Sequence, residues 1–429
     1  MKTKYEKYLK YYFYIVFLFS LGNYFVVGIS IRIMDFFGGD LSKIIELPIF
    51  LLGLILISIK SNLKYKNVIF HFGFLVLIYI ILSAIAVLSF NFVFAFRLFF
   101  WTTLGLFLAF ELKLKIFEYI TKLTFWFAVI STILFVFAYF LPSINTFITS
   151  VGISTDNENY SILFYNIKTR VLDRNSGFAY EPGPFGLICA LAMVIDLTKN
   201  SYKFNKKYIV YILAIYTSQS STAGVFLLIS IIFFYYNSFK GYRIIIMPIV
   251  LIIAYFFYQS QEFLEEKISN DWEESQNTEE IIKNGKNNEQ VNGTYRFAIL
   301  FLTWPDVKSR PLFGFNHNPS LNYRSTNNIY IRGTGPLGFV AIYGTILTIL
   351  LIVQMKRSIK MLNVVFKNNF GTLIGIWWFF ILFSFTTIVQ SLFFTSILFI
   401  YLPLKFSGQI NVINPNSKFK ELITSKTLK

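Results

Sequence analysis

Arginines set beside apolar runs are the chemical signal of this chain. Four gather between Asn292 and Gly338, NGTYRFAILFLTWPDVKSRPLFGFNHNPSLNYRSTNNIYIRGTGPLG, where Arg296, Arg310, Arg324 and Arg332 accompany His317 and the tyrosines Tyr295, Tyr323 and Tyr330. A planar guanidinium can hold two phosphate oxygens at once. A histidine within reach of a hydroxyl can move its proton. Further upstream, RNSGFAYEPGPFG brings Arg174, Tyr180 and Glu181 to the start of an apolar run. Arg97 is the one basic residue deep within such a run, FNFVFAFRLFFW, about 9 Å from the near end of its helix.

Each group also has a structural alternative. Arg97 can snorkel to the interface instead of holding an anion. Glu181, ahead of Pro182 and Pro184, can complement a helix N-terminus instead of acting as a base. His317 can be an ordinary loop histidine, and the tyrosines can anchor at the membrane interface instead of stacking on sugars. Asp156-Asn157-Glu158 has carboxylate spacing that can hold a divalent cation, but an Asn-rich loop produces such a pair by chance. The turn Ser218–Gly224, SQSSTAG, suits close helix packing. Gly333–Gly338 matches G-x-G-x-x-G, yet Pro336 interrupts it and an apolar run follows, which argues against a dinucleotide. Cys189, the single cysteine, and His71 read as structural. No Walker, zinc-protease or G-x-S-x-G motif is present.

The elements that must carry these groups are membrane spans. Of 429 residues 55% are hydrophobic and 14% charged, with mean hydropathy +0.58, beyond what soluble domains tolerate. Apolar runs predict about twelve spans, at 11–31, 44–59, 68–90, 92–110, 123–141, 178–196, 207–220, 222–236, 242–258, 333–353, 371–388 and 391–404. The net charge of +17 follows this layout: alternate short connections hold 25 of the 39 basic residues and 5 of the 22 acidic ones. That is the positive-inside bias, with both termini cytoplasmic, and it removes the need for a nucleic-acid partner. The chain divides into spans one to nine (1–259, with an outer connection at 142–177), a large outer loop (260–332), and the last three spans with a basic tail (333–429). In the loop, Gln261–Asn292 is acidic and amide-rich, which predicts a solvated helix and linker. Phe297, Leu300, Phe301 and Trp304 form the apolar stripe of an amphipathic helix opened by Arg296, and beyond Pro305 the sequence turns loop-like.

The order of these features resembles the bacterial O-antigen and capsule polymerases, the Wzy-type proteins, which share a superfamily with O-antigen ligases. The resemblance covers roughly 70–404. It rests on Arg97 in an early span, R-x-x-G-F-x-x-E-P (Arg174 to Pro182), S-x-S-S-T-A-G, R-x7-W and R-P-L-F-G in the large loop, and N-N-x-Y before G-x-x-G. It implies an all-α membrane glycosyltransferase of GT-C type that moves glycan from undecaprenyl diphosphate to a sugar hydroxyl of another lipid-linked repeat unit at the outer face of the cytoplasmic membrane. Neither metal nor cofactor is implied; a chain-length regulator is a possible partner, besides membrane lipids. On this resemblance Glu181, Arg296 and His317 are catalytic, with Glu181 the preferred base. Arg97, Arg174, Arg310, Arg324, Tyr180, Tyr295 and Tyr330 bind diphosphate or sugar. Ligases commonly carry His-Asn where this chain has Asn327-Asn328, which disfavours a ligase, although His317 lies ten residues upstream. A lipid-linked oligosaccharide flippase is the alternative from another class, but flippases usually spread charges through several spans and have short outer loops.

Overall fold

The computed structural model describes residues 2–37, 44–60, 65–156, 159–168, 174–200, 203, 205–238, 248, 279–280, 282–283, 296–316, 318–327, 335–366, 368–384 and 391–406. The described chain is mostly helical: α1 (Lys2–Ser20), α2 (Tyr24–Phe37), α3 (Leu47–Ile59), α4 (Lys66–Val87), α5 (Phe92–Leu112), α6 (Lys115–Phe140), α7 (Pro142–Val151), α8 (Pro182–Lys199), α9 (Lys207–Ser218), α10 (Ser221–Ser238), α11 (Arg296–Ser309), α12 (Tyr323–Thr326), α13 (Gly335–Phe366), α14 (Phe370–Ser384), α15 (Leu392–Leu398) and α16 (Tyr401–Phe406). Five of these, α4, α5, α6, α8 and α13, are long and apolar enough to cross a membrane, and α1 with α2 would make a sixth if taken as one broken span. The expected span 242–258 and the acidic stretch of the large loop lie almost wholly outside the described residues.

Burial separates the bundle's centre from its rim. In α8 every residue from Pro184 to Thr198 is enclosed, Cys189 among them. Trp377 of α14 donates its Nε1–H to the Leu187 carbonyl of α8 at 2.8 Å, tying a fully buried indole to the central helix. Little of α4 is buried; Phe70, Phe74, Leu75, Ile81 and Ile85 point outwards, as side chains that meet lipid should.

The two ends of the bundle differ in charge. At one end Lys60 pairs with Glu111, Lys115 with Glu6 at 3.8 Å, Lys207 lies over the Phe125 ring, and Arg357 lies over Tyr401. The opposite end carries Arg97, the turn before α8 and a small cap. In that cap the expected outer connection 142–177 is not a plain loop: α7 is followed by an antiparallel sheet in the order β1-β2-β3, formed by Ile153–Asp156, Asn159–Ser161 and Asn166–Lys168. Ile148, Tyr165 and Ile167 pack with Phe135 beneath it, and burial pushes the Tyr165 hydroxyl pKa up.

Three expectations from the sequence are corrected. The first apolar run is not one straight span, because α1 and α2 meet at 95°. Gly22 sits at φ +65°, its N–H bonds the Phe19 carbonyl (2.9 Å) and the Asn23 N–H bonds the Leu18 carbonyl (3.0 Å), which is the Schellman pattern that ends a helix. The last apolar run is likewise split into α15 and α16. Finally, Pro305 does not end the amphipathic helix, since α11 continues through it to Ser309. Its inward face is Leu302, Thr303, Asp306 and Val307, while Phe301 (63% exposed) and Trp304 (55%) of the anticipated stripe face away from the protein.

A broken helix also positions the Arg310–Gly314 segment. Within α13, Gly344 adopts φ 72°, ψ 169°, and a Cβ there would lie 2.1 Å from the Leu312 carbonyl oxygen. The chain from Pro311 to Asn316 runs along this break. Phe315 and Asn316 N–H groups bond the carbonyls of Ala341 (2.8 Å) and Ile342 (3.0 Å), and Thr345 and Ile346 N–H groups bond those of Pro311 (2.8 Å) and Leu312 (3.3 Å). Irregular backbone inside a membrane domain is tolerated only when satisfied in this way.

Candidate functional site

The turn leading into α8 is held from three sides. Asn23 Nδ2, fully buried, donates to the carbonyls of Phe178 (2.8 Å) and Leu163 (2.9 Å). Asn166 Nδ2 donates to the Ala179 carbonyl (2.7 Å), and the Asn175 N–H to the Thr217 carbonyl (3.0 Å). Phe178 anchors the turn in the core against Phe17, Phe127 and Phe185. Gly177, at φ +52°, passes so close to Phe185 that a Cβ would fall 2.2 Å from its ring. The consequence falls on the next residues: the Tyr180 N–H bonds the Leu21 carbonyl (3.0 Å) and the Tyr24 hydroxyl donates to the Tyr180 carbonyl (2.7 Å). Tyr180 therefore lies directly on bare Gly22, where a Cβ would meet its ring at 2.9 Å.

Arg97 reaches the same place from α5. That helix is capped by Asn91, whose side chain accepts from the Phe94 N–H (3.1 Å), which fixes the turn that carries Arg97. Its Nε lies 3.1 Å from Glu46 Oε1, and Nε and Nη2 both donate to Oε2 at 3.2 Å. Glu46 is the N-cap residue of α3. The Arg97 side chain is 27% exposed and that of Glu46 15%, so the pair is only partly shielded from its surroundings.

These groups line one cavity of about 410 Å³, bounded by Arg97 and Trp101 of α5, Glu46, Gly22, Tyr180 and Ser391. Among the described residues the buried Ser391 Oγ has no hydrogen-bond partner. The walls thus offer a fixed guanidinium, a carboxylate and two hydroxyls, the groups that a phosphorylated or hydroxyl-rich ligand would need. Glu181 follows Tyr180 directly. It is the N-cap of α8, half-buried, and its side chain makes no capping hydrogen bond.

Of the residues singled out from sequence, Arg97 and Tyr180 share this cavity and Glu181 adjoins Tyr180. Arg174 opens the turn, half-buried, and is not part of the cavity wall. Arg310 stands apart: its Nη1 donates to Ser309 Oγ (3.4 Å), and it begins the segment docked on the break in α13. Tyr295, His317 and Tyr330 lie outside the described residues, as do the side chains of Arg296 and Arg324. Sequence reasoning missed Glu46, Gly22 and Ser391. Glu46 was legible as a lone carboxylate beside the apolar LPIFLLG; nothing in the sequence tied it to Arg97, 51 residues on.

No family model matches the chain. No curated protein and no solved structure matches it either.

Proposed function

We propose that this protein is a polysaccharide polymerase that transfers glycan from undecaprenyl diphosphate to a sugar hydroxyl of a second lipid-linked repeat unit, at the outer face of a bacterial cytoplasmic membrane. The observation that carries the reading is the cavity that Arg97 and Tyr180 both line, with Glu181 next in sequence to Tyr180, at the end of the bundle opposite the lysine-rich one. By the positive-inside bias the basic end faces the cytoplasm and the cavity faces outwards.

In this reading the acceptor oxygen attacks the anomeric carbon, the bond from that carbon to the diphosphate oxygen breaks, and the electron pair leaves with the diphosphate. Glu181 takes the hydroxyl proton. Negative charge grows on the leaving group as the bond breaks, and a guanidinium already oriented stabilises it more in the transition state than in the ground state. Glu46 sets the orientation of Arg97 by contacting both Nε and Nη2. Arg174 and Arg296, from the two outer connections, add positive charge, and tyrosines such as Tyr180 give flat faces for sugar rings.

Arg296 provides the test. It opens an amphipathic helix, where a planar fork can hold two phosphate oxygens. Loss of one preorganised donor costs about 3 kcal/mol, a rate loss on the order of a hundredfold. Arg296→Ala, at wild-type protein level, is expected to reduce long-chain polysaccharide to single repeat units on a gel, and Arg296→Lys to restore little. A normal ladder from Arg296→Ala would remove Arg296 from the mechanism.

A further inference from the structure

A second cavity, of about 310 Å³, lies between α4, α5, α13, α14 and α15. Apolar side chains make most of its wall, aliphatic such as Leu75, Leu98 and Leu347 and aromatic such as Phe72 and Phe394, and Leu75 and Leu350 stand half exposed where the rims of α4 and α13 part towards lipid. Beyond the break at Gly344 it extends along α13 from Leu347 to Arg357, a rise of about 15 Å over those residues. An acyl chain of one leaflet reaches about 15 Å, half of the hydrocarbon core.

The far end of this groove is polar and fixed. The Arg357 guanidinium lies over the Tyr401 ring, 5.8 Å from its centroid, and Nη1 donates to the Tyr401 hydroxyl at 3.4 Å. That hydroxyl donates in turn to Gln354 Oε1, and both Tyr401 and Gln354 are buried. Among the described residues no carboxylate pairs with Arg357. Lys356 and Lys360, both exposed, stand within one turn of it on α13.

We propose that this groove binds an anionic phospholipid from the leaflet on the basic side, with one acyl chain along α13 and the phosphate on Arg357. Charge decides the occupant. A polyprenyl tail entering from the Arg97 end would bring its hydrocarbon terminus against a guanidinium and strip its water without compensation. A phosphate there completes the guanidinium's hydrogen bonds. Trp101, which borders both cavities, stands between the groove and the Arg97 site.

Native mass spectrometry of the purified full chain tests it, with phosphatidylglycerol, phosphatidylcholine of the same chains, and undecaprenyl phosphate as probes. Phosphatidylglycerol is expected to be retained over phosphatidylcholine, and Arg357→Ala to weaken that retention about fivefold, the contribution of one basic residue near an anionic surface. Arg357→Lys should keep most of the preference. Leu350→Trp, which fills the groove from its exposed rim, should weaken both phospholipids while the protein stays monodisperse. Equal retention of the two phospholipids, an unchanged preference in Arg357→Ala, or unchanged binding in Leu350→Trp would overturn the proposal. Displacement of phosphatidylglycerol by equimolar undecaprenyl phosphate would assign the groove to the polyprenyl lipid instead.

Discussion

A guanidinium held inside a bundle of apolar helices needs a counter-charge, and Glu46 gives Arg97 one at 3.1 Å. Removing one partner of a fully buried pair costs about 3–5 kcal/mol, since the other charge is left uncompensated. Arg97 is 27% exposed, so the loss in Glu46→Leu is expected below that range, as a fall in melting temperature of the detergent-purified protein. Combining it with Arg97→Met removes the stranded charge, and the melting temperature should recover while polymer formation does not. Recovery of both would leave the pair with a purely structural role. At this scale the sequence was informative about residue type and silent about pairing. Arg97 stood out in FNFVFAFRLFFW, and Glu181 and Tyr180 stood out beside two prolines, because charge and proline are rare in apolar runs. Glu46 and Ser391 did not, because what brings them to Arg97 is tertiary packing over separations that no local pattern records.

Elements were legible where one apolar run stays a continuous helix and illegible where a glycine at positive φ breaks it. The sequence boundaries of α4, α5 and α9 lie within a few residues of the observed helices, since caps and apolar length decide them. The breaks at Gly22 and Gly344 look from sequence like ordinary glycines in apolar runs. What makes glycine necessary there appears only in the fold: φ values of +65° and +72°, and Tyr180 and Leu312 so close that no Cβ fits. Gly344→Ala therefore faces two penalties, a left-handed backbone and a Cβ 2.1 Å from a carbonyl oxygen. The expected cost exceeds about 1 kcal/mol and is read as a lower melting temperature with loss of protein from the membrane. An unchanged melting temperature would mean that the segment Pro311–Asn316 does not dock on the break. The sheet Ile153–Lys168 was missed for another reason: its strands are three or four residues each, too short for alternation to register.

For the whole molecule, the segregation of charge is the feature that sequence and structure present together. Basic connections chosen from apolar runs alone meet at one end of the bundle, where Lys60, Lys115, Lys207 and Arg357 find their partners. The orientation this implies has a direct check. Cys189 is buried in α8, so a cysteine introduced at Asn284 supplies the reactive thiol. It is expected to label with a membrane-impermeant reagent in intact cells with a permeable outer layer; labelling only after lysis would turn the cavity to face the cytoplasm.

We propose that the cavity beside Glu181 forms glycosidic bonds. Its most direct measurement is reconstitution of the purified protein in vesicles containing a repeat unit on undecaprenyl diphosphate, with products resolved by length. The wild-type chain is expected to give lipid-linked glycans of two or more units and to release undecaprenyl diphosphate. Glu181→Gln, at equal amount and equal melting temperature, is expected to give neither, and Arg97→Ala combined with Glu46→Gln likewise. Single repeat units that stay unextended but cross to the opposite leaflet would contradict the account and make the protein a transporter. Extension that survives Glu181→Gln would move the base elsewhere.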